Sequence, residues 1–192
     1  MNKYTIIALC GKAGSGKDTI LNALIEDNLI PGAVPIVSCT TRPIREGEVD
    51  GINYHYLSNE EFTNRLLNGD MLEATVFNHW CYGTSAQNLT ANKINIGVYN
   101  LTGLNILRED PNIDLYVIYV TCSDRERLLR QLLREENPNC HEIVRRFGTD
   151  EEDFTDYKLN EVKVDFQVLN DRNCSIEDVC EQIVNFLKDK IK

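Results

Sequence analysis

The stretch "YTIIALCGKAGSGKDTIL", residues 4–21, decides the fold. Its first part, "YTIIALC", carries almost no polar side chain, so it reads as a strand buried on both faces; a half-exposed strand would alternate. Three glycines follow at 11, 14 and 16, then Lys17, and Ile20, Leu21, Leu24 and Ile25 recur on one face of a helix over 17–27. Strand, glycine turn and helix in that order form a phosphate-binding loop. Gly11, Gly14 and Gly16 keep the turn bare of Cβ atoms, so the N–H groups of the run Lys12, Ala13, Gly14, Ser15, Gly16 and Lys17 can converge on phosphate oxygens at the positive helix end. Lys17 adds a mobile cation for the β- and γ-phosphates of a nucleoside triphosphate.

One residue departs from the pattern. Asp18 stands where a hydroxyl normally ligates magnesium, and Thr19 comes next. A carboxylate about 4 Å from a phosphate charge costs on the order of 4 kcal/mol at an effective dielectric near 20. A divalent cation between them reverses the sign. Two readings stand: Asp18, with Thr19 beside it, ligates Mg2+; or Asp18 turns outward as a first-turn residue favoured by the helix dipole.

The 192 residues fit one domain. A net charge of −10 and a pI near 4.8 argue against nucleic-acid binding. No apolar run reaches the roughly 18 residues of a membrane span, and the N-terminal run reads as a core strand, not a signal peptide. The seven cysteines (10, 39, 81, 122, 140, 174, 180) contain no C-x-x-C pair. Reduced thiols, with Cys10 and Cys122 buried in strands, and a cytoplasmic location are expected, with no zinc site. The arginines concentrate at Arg42 and Arg45 and again at Arg125, Arg127, Arg130, Arg134, Arg145 and Arg146. That arrangement suits a small polyanion, although the second cluster alone is equally compatible with solvated helix faces.

Apolar runs alternate with helical patterns, the mark of a parallel α/β sheet of about five strands flanked by helices. Further strands are expected at 34–39, 71–77, 95–101, 113–122 and 164–170. Helices are expected at 59–68, opened by a Ser58/Glu61 capping box, at 124–136, after an Asn137–Pro138 start, and after Ser175, with Ile176, Val179, Ile183 and Phe186 inward. His55, His79 and Trp80 read as packing or surface residues. The acidic run 148–157 reads as a solvated helix face.

The stretch "SCTTRPIREGEVDGINYHYLSNEEF" (38–62), with the loop 11–17, "MLEATVF" (71–77), "YGTS" (82–85), the arginines of 125–146 and "VDFQVLND" (164–171), resembles the guanylate kinase family over nearly the whole chain. The resemblance implies a P-loop nucleoside monophosphate kinase fold: a core of 1–37, 90–123 and 148–192, an inserted acceptor-binding subdomain at 38–89 and a lid at 124–147. It implies Mg2+-assisted phosphoryl transfer from ATP to GMP or dGMP, and nucleotides as the partners of a monomer or homodimer. Arg42 and Arg45 would clamp the acceptor phosphate, with Glu48 shaping the clamp, Tyr54 and Tyr82 donating hydroxyls, and Ser38 and Gly83 beside the pocket. Arginine suits that task because its planar fork binds phosphate bidentately. Glu73 would accept from guanine N1–H and N2–H2, which adenine lacks on that edge, and Thr84 could donate to O6. Such pairing can reject the wrong base by roughly 10⁴. Lys17, Arg42, Arg130, Arg134 and Arg146 would carry the catalysis, and Asn170 would lie near the adenine of ATP. The family's Asp-x-Asp is replaced by Val98 and Asn100 in "GVYNLTG". The first change matches a carboxylate moved to Asp18. The second leaves Asn100 a carbonyl with which to contact guanine and admits a broader deoxynucleoside monophosphate kinase. A third possibility is a non-catalytic binding module, against which the intact Gly11–Lys17 loop argues.

Overall fold

The computed structural model describes residues 3–45, 47–77, 79–134 and 136–191. Strand β1 (Tyr4–Cys10) lies at the centre of a five-stranded sheet, and every pairing in that sheet is parallel. Its neighbours are β7 (Ile94–Val98) and β8 (Ile113–Thr121), with β2 (Val34–Pro35) and β9 (Phe166–Leu169) at the edges. The unbroken apolar run of β1 is explained by its two partners. Ile6, Ala8 and Cys10 pack with Leu104 and Leu107 of α3 (Leu101–Glu109), whereas Ile7 and Leu9 pack with Ile20 and Leu24 of α1 (Lys17–Glu26) and Val179 and Ile183 of α7 (Ile176–Lys188). Both faces are covered, so alternation has nothing to encode.

A second sheet, in the order β4 (His55–Tyr56), β3 (Cys39–Thr40), β6 (Trp80–Ser85), β5 (Met71–Phe77), carries the acceptor-side motifs. Helix α2 (Asn59–Leu67) opens with the expected capping box, the Ser58 hydroxyl accepting from the Glu61 N–H at 3.1 Å while the Ser58 N–H donates to the Glu61 carboxylate at 2.8 Å. Beyond the core sheet lie α4 (Asp124–Leu133), α5 (Cys140–Asp153) and α6 (Asp156–Val162).

Several expectations need correction. The run 34–39 is not one strand: Pro35 pairs in the core sheet, the Ile36 N–H still reaches the Ile96 carbonyl at 2.8 Å, and Cys39 already pairs with Gly83 and His55 in the second sheet. One apolar run serves two sheets. The strand over 95–101 stops at Val98, because the Asn100 side chain turns to accept the Gly103 N–H at 2.7 Å and starts α3. Helix 124–136 stops at Leu133, with Arg134 as its cap; Glu135 is outside the described residues. Asn139, not Asn137, caps α5, since only it meets the Glu142 N–H. All seven cysteines are free, but Cys122, one residue past the end of β8, is half-buried, and Cys140 is exposed.

Candidate active site

The phosphate loop is shaped by close approach. A Cβ at Gly11 would stand 2.5 Å from the Val120 carbonyl, and Gly14 and Gly16 hold φ of 79° and 88°, which only glycine adopts cheaply. The Asn170 amide, expected near adenine, is buried and donates to the Ser15 carbonyl at 2.8 Å, filling the space a Gly16 Cβ would need. The Ser15 N–H turns back to the Lys12 carbonyl at 3.1 Å and the Ala13 N–H goes to Asp150. Among the described residues, the N–H groups of Gly14, Gly16, Lys17, Asp18 and Thr19 have no protein acceptor. Five consecutive or near-consecutive donors at a helix start, beside half-buried Lys17, form an anion-binding concavity.

Asp18 and Thr19 are exposed on the first turn of α1. Burial pushes the Tyr54 phenol up to about 12, and the Asp18 charge adds to that rise. Among the described residues no group of three or more His, Cys, Asp or Glu converges as a metal cage. One carboxylate with a neighbouring hydroxyl fits Mg2+, which keeps most of its ligands as phosphate and water.

On the acceptor side Arg42 is 7% exposed. It donates to Glu48 at 2.8 and 3.0 Å and to the Pro43 carbonyl at 2.9 Å, and lies 5.6 Å over the Tyr54 ring and 5.7 Å over the Tyr56 ring. Burial works to raise the Glu48 pKa. Hydrogen bonds from Arg42, Tyr56 and the Arg45 backbone outweigh it and hold the carboxyl down at about 2. Tyr54 meets Tyr82 edge-on at 6.0 Å. Arg45 is exposed, and Ser38 is half-buried, its carbonyl taking the His55 N–H at 2.8 Å. Tyr56 is the residue the sequence reading missed: its hydroxyl donates to Glu48 at 2.7 Å. The period of two in "YHY" was the available signal.

Deeper in, Glu73 lies opposite Thr84, and both are buried. Gly83 permits that approach, since a Cβ there would stand 2.6 Å from the Glu73 carbonyl. Burial pushes Glu73 up to about 7, with Thr84 pulling it down. The Thr84 hydroxyl donates to buried Tyr99, also unforeseen, at 3.4 Å. Asn100 stands near Glu73, but its amide is engaged, donating to Thr75 at 2.7 Å and accepting from Gly103 at 2.7 Å. Val98 packs among apolar side chains.

The second arginine cluster divides by burial. Arg130 reaches the Glu126 carboxylate at 3.2 Å and the Gly14 and Ser15 carbonyls at 3.4 and 3.3 Å. Arg134 is exposed, and Arg145 and Arg146 are both held by Glu142, at 2.7 and 2.8 Å. Arg127 of the second cluster is 1% exposed, so it does not lie on a solvated helix face. The acidic run is likewise not all solvent-facing, because Asp150 and Glu151 turn onto the phosphate loop. A groove of about 550 Å³ between α4 and the turn after β9 is lined by Arg125, Arg130, Arg134 and Arg172. Arg172 lay outside both sequence clusters.

A family model described as guanylate kinase matches residues 3–190. A guanylate kinase of Clostridium perfringens (strain SM101 / Type A) is 31% identical over 191 residues, covering 95% of this chain and 82% of the relative. One from Helicobacter pylori (strain ATCC 700392 / 26695) is 37% identical over 138 residues, covering 69% of this chain and 65% of the relative. The crystal structure of guanylate kinase from Anaplasma phagocytophilum superposes with a TM-score of 0.67 at 20% identity, covering all of this chain and 89% of that one. That likeness shows the fold.

Proposed function

The chain belongs to the guanylate kinase family, and from that premise we propose that it transfers the γ-phosphoryl group of ATP to GMP or dGMP. An acceptor phosphate oxygen attacks the γ-phosphorus, the bond to the β–γ bridging oxygen breaks, and ADP leaves with GDP or dGDP. The observation that carries this reading is that one chain holds two anion grips: free backbone amides beside Lys17 at the start of α1, and a buried Arg42 stacked on Tyr54 and Tyr56.

Such a reaction asks little covalent chemistry of the protein and much positioning and charge stabilisation. Lys17 and the loop amides orient the triphosphate; Arg42 and Arg45 orient the acceptor phosphate. Asp18 or Thr19 would hold Mg2+, which would supply charge neutralisation at the phosphates. Glu73, once ionised, accepts from guanine N1–H and N2–H2. Arg130, Arg134 and Arg146 bring cations over the transferring group as the lid closes and water is excluded. The free cysteines suit a reducing compartment, the cytoplasm.

A coupled assay of ADP release with GMP, dGMP, AMP, CMP, UMP and dTMP tests the reading. Turnover with GMP and dGMP, at least about 10²-fold above the other acceptors in kcat/KM, is expected. Comparable rates on several bases overturn the guanine assignment, and no turnover on any acceptor overturns the kinase.

A further inference from the structure

Two acids of α5 grip the phosphate loop. The Asp150 carboxylate accepts the Ala13 N–H at 2.7 Å, and Glu151 takes the Lys12 ammonium at 2.7 Å. Behind them lies Arg127 of α4. Its guanidinium is 3.5 Å from Asp150, 3.4 Å from Glu151 and Asp124, and 4.5 Å over the Phe147 ring. Among the described residues its Nε and Nη2 are buried without a hydrogen-bond partner, so this cation is held by charge and stacking and not by a full set of hydrogen bonds. The backbone carbonyl of Arg127 also presses on Gly14, where a Cβ would stand 2.5 Å from it.

This arrangement is costly by itself. A carboxylate fastened to a triphosphate loop repels the ligand, and an isolated buried guanidinium is worse. Together the two costs offset each other. Resting on the reading that this loop binds ATP, we propose that Asp150 and Arg127 are positioning residues for the donor nucleotide: Asp150 fixes the loop backbone through the Ala13 N–H, and Arg127 cancels the charge that this strut brings to the phosphates. Burial raises the Asp150 pKa, and the Ala13 N–H with the Arg127, Lys17 and Lys12 charges pulls it back towards the ionised form. The same helix carries Arg145 and Arg146, so the strut anchors one half of α5 while the other half carries cations to the reaction.

The test uses the full chain: ADP affinity by titration calorimetry, KM for ATP and for GMP, kcat, and a thermal melt for each variant. Arg127→Met leaves Asp150 uncompensated, and Asp150→Ala leaves the Ala13 N–H unmatched. Each is expected to weaken ADP binding and raise KM for ATP by about tenfold, with KM for GMP unchanged. Asp150→Asn keeps an acceptor for Ala13 without the charge, and because Glu151 and Asp124 still neutralise Arg127 it stays within about threefold of the parent. The double variant R127M/D150N recovers most of the loss of Arg127→Met, a coupling that mere loss of packing does not produce. Unchanged ADP affinity in both Arg127→Met and Asp150→Ala, or a double variant as weak as Arg127→Met, overturns the proposal. If Arg127→Met does not fold, the contrast between Asp150→Ala and Asp150→Asn decides. GMP turnover by the parent is read separately, so failure of the kinase reading is distinguishable from failure of this one.

Discussion

Glu48 and Glu142 make the same bond and play opposite parts. Each carboxylate is held at about 2 by arginine hydrogen bonds. Glu48 meets Arg42 beside the second sheet, where the two side chains are 19% and 8% exposed and two tyrosine rings flank the guanidinium. Glu142 meets Arg145 and Arg146 along its own helix, at i+3 and i+4, with side-chain exposures of 30% to 41%. A buried pair cannot rearrange without leaving a charge uncompensated, so it is a fixture. An exposed pair within one helix is worth little and exchanges readily, so those arginines are free to change partner, as the proposed mechanism requires. Burial, not the bond, separates a clamp from a moving part. Glu73 supplies the third case. Buried beside Thr84 and Tyr99 with no cation hydrogen-bonded to it, it is pushed up to about 7.

Four substitutions test this contrast, starting from its strongest claim. Arg42→Ala is expected to lower kcat/KM for GMP by about 10³-fold while ADP affinity stays within about twofold. A large loss of ADP affinity would place Arg42 in the wrong half of the cleft. Glu73→Gln is expected to cost about 10²-fold in kcat/KM for GMP at pH 8. In the parent, kcat/KM for GMP rises through an apparent pKa near 7, because only the ionised form accepts from guanine. In the glutamine variant that rise disappears. The stability sign is the reverse. The folded pKa of Glu73 exceeds its unfolded value, so its contribution is present below about 4.5 and is lost as pH rises through about 7. A parent melting temperature that does not fall relative to Glu73→Gln over that window contradicts the burial argument.

Glu48→Gln leaves Arg42 without its counter-charge. About tenfold in KM for GMP and about 2 kcal/mol of stability are expected to go. Glu48 has a depressed folded pKa, so its share of stability is present above the unfolded value and is lost as pH falls from about 4.5 towards about 2. Denaturant midpoints across that range show the loss in the parent and not in the variant. Glu142→Gln is the mildest change. Under about 1 kcal/mol of stability and under about threefold in kcat are expected; a loss as large as that of Glu48→Gln would erase the distinction between fixture and moving part.

The parts of this molecule written in the sequence are those where local chemistry decides. The Gly11–Lys17 loop and the Ser58/Glu61 box lie within a few residues of chain and were readable from the residues; the Arg42–Glu48 pair came only from the family resemblance. The Arg127–Asp150–Ala13 assembly was not, because Asp150 and Ala13 stand 137 residues apart and a buried guanidinium contradicts the polarity pattern that marks helix faces. The split of 34–39 was hidden for a related reason: periodicity reports that a residue is buried, not against which sheet. Asn137–Pro138 fits the local rule for a helix start, yet Asn139 caps α5, because only the fold decides which asparagine meets the Glu142 N–H.

The order of the core sheet bears on how the chain is made. Thr5 of β1 pairs with Ile94 on one side and Asp114 on the other, and the Gly16 turn is buttressed by Asn170. During synthesis the apolar 4–10 segment therefore emerges from the ribosome long before any strand that can shield it, and the glycine loop stays without its Asn170 buttress until residue 170 has been translated. The nascent chain is exposed to aggregation over that interval.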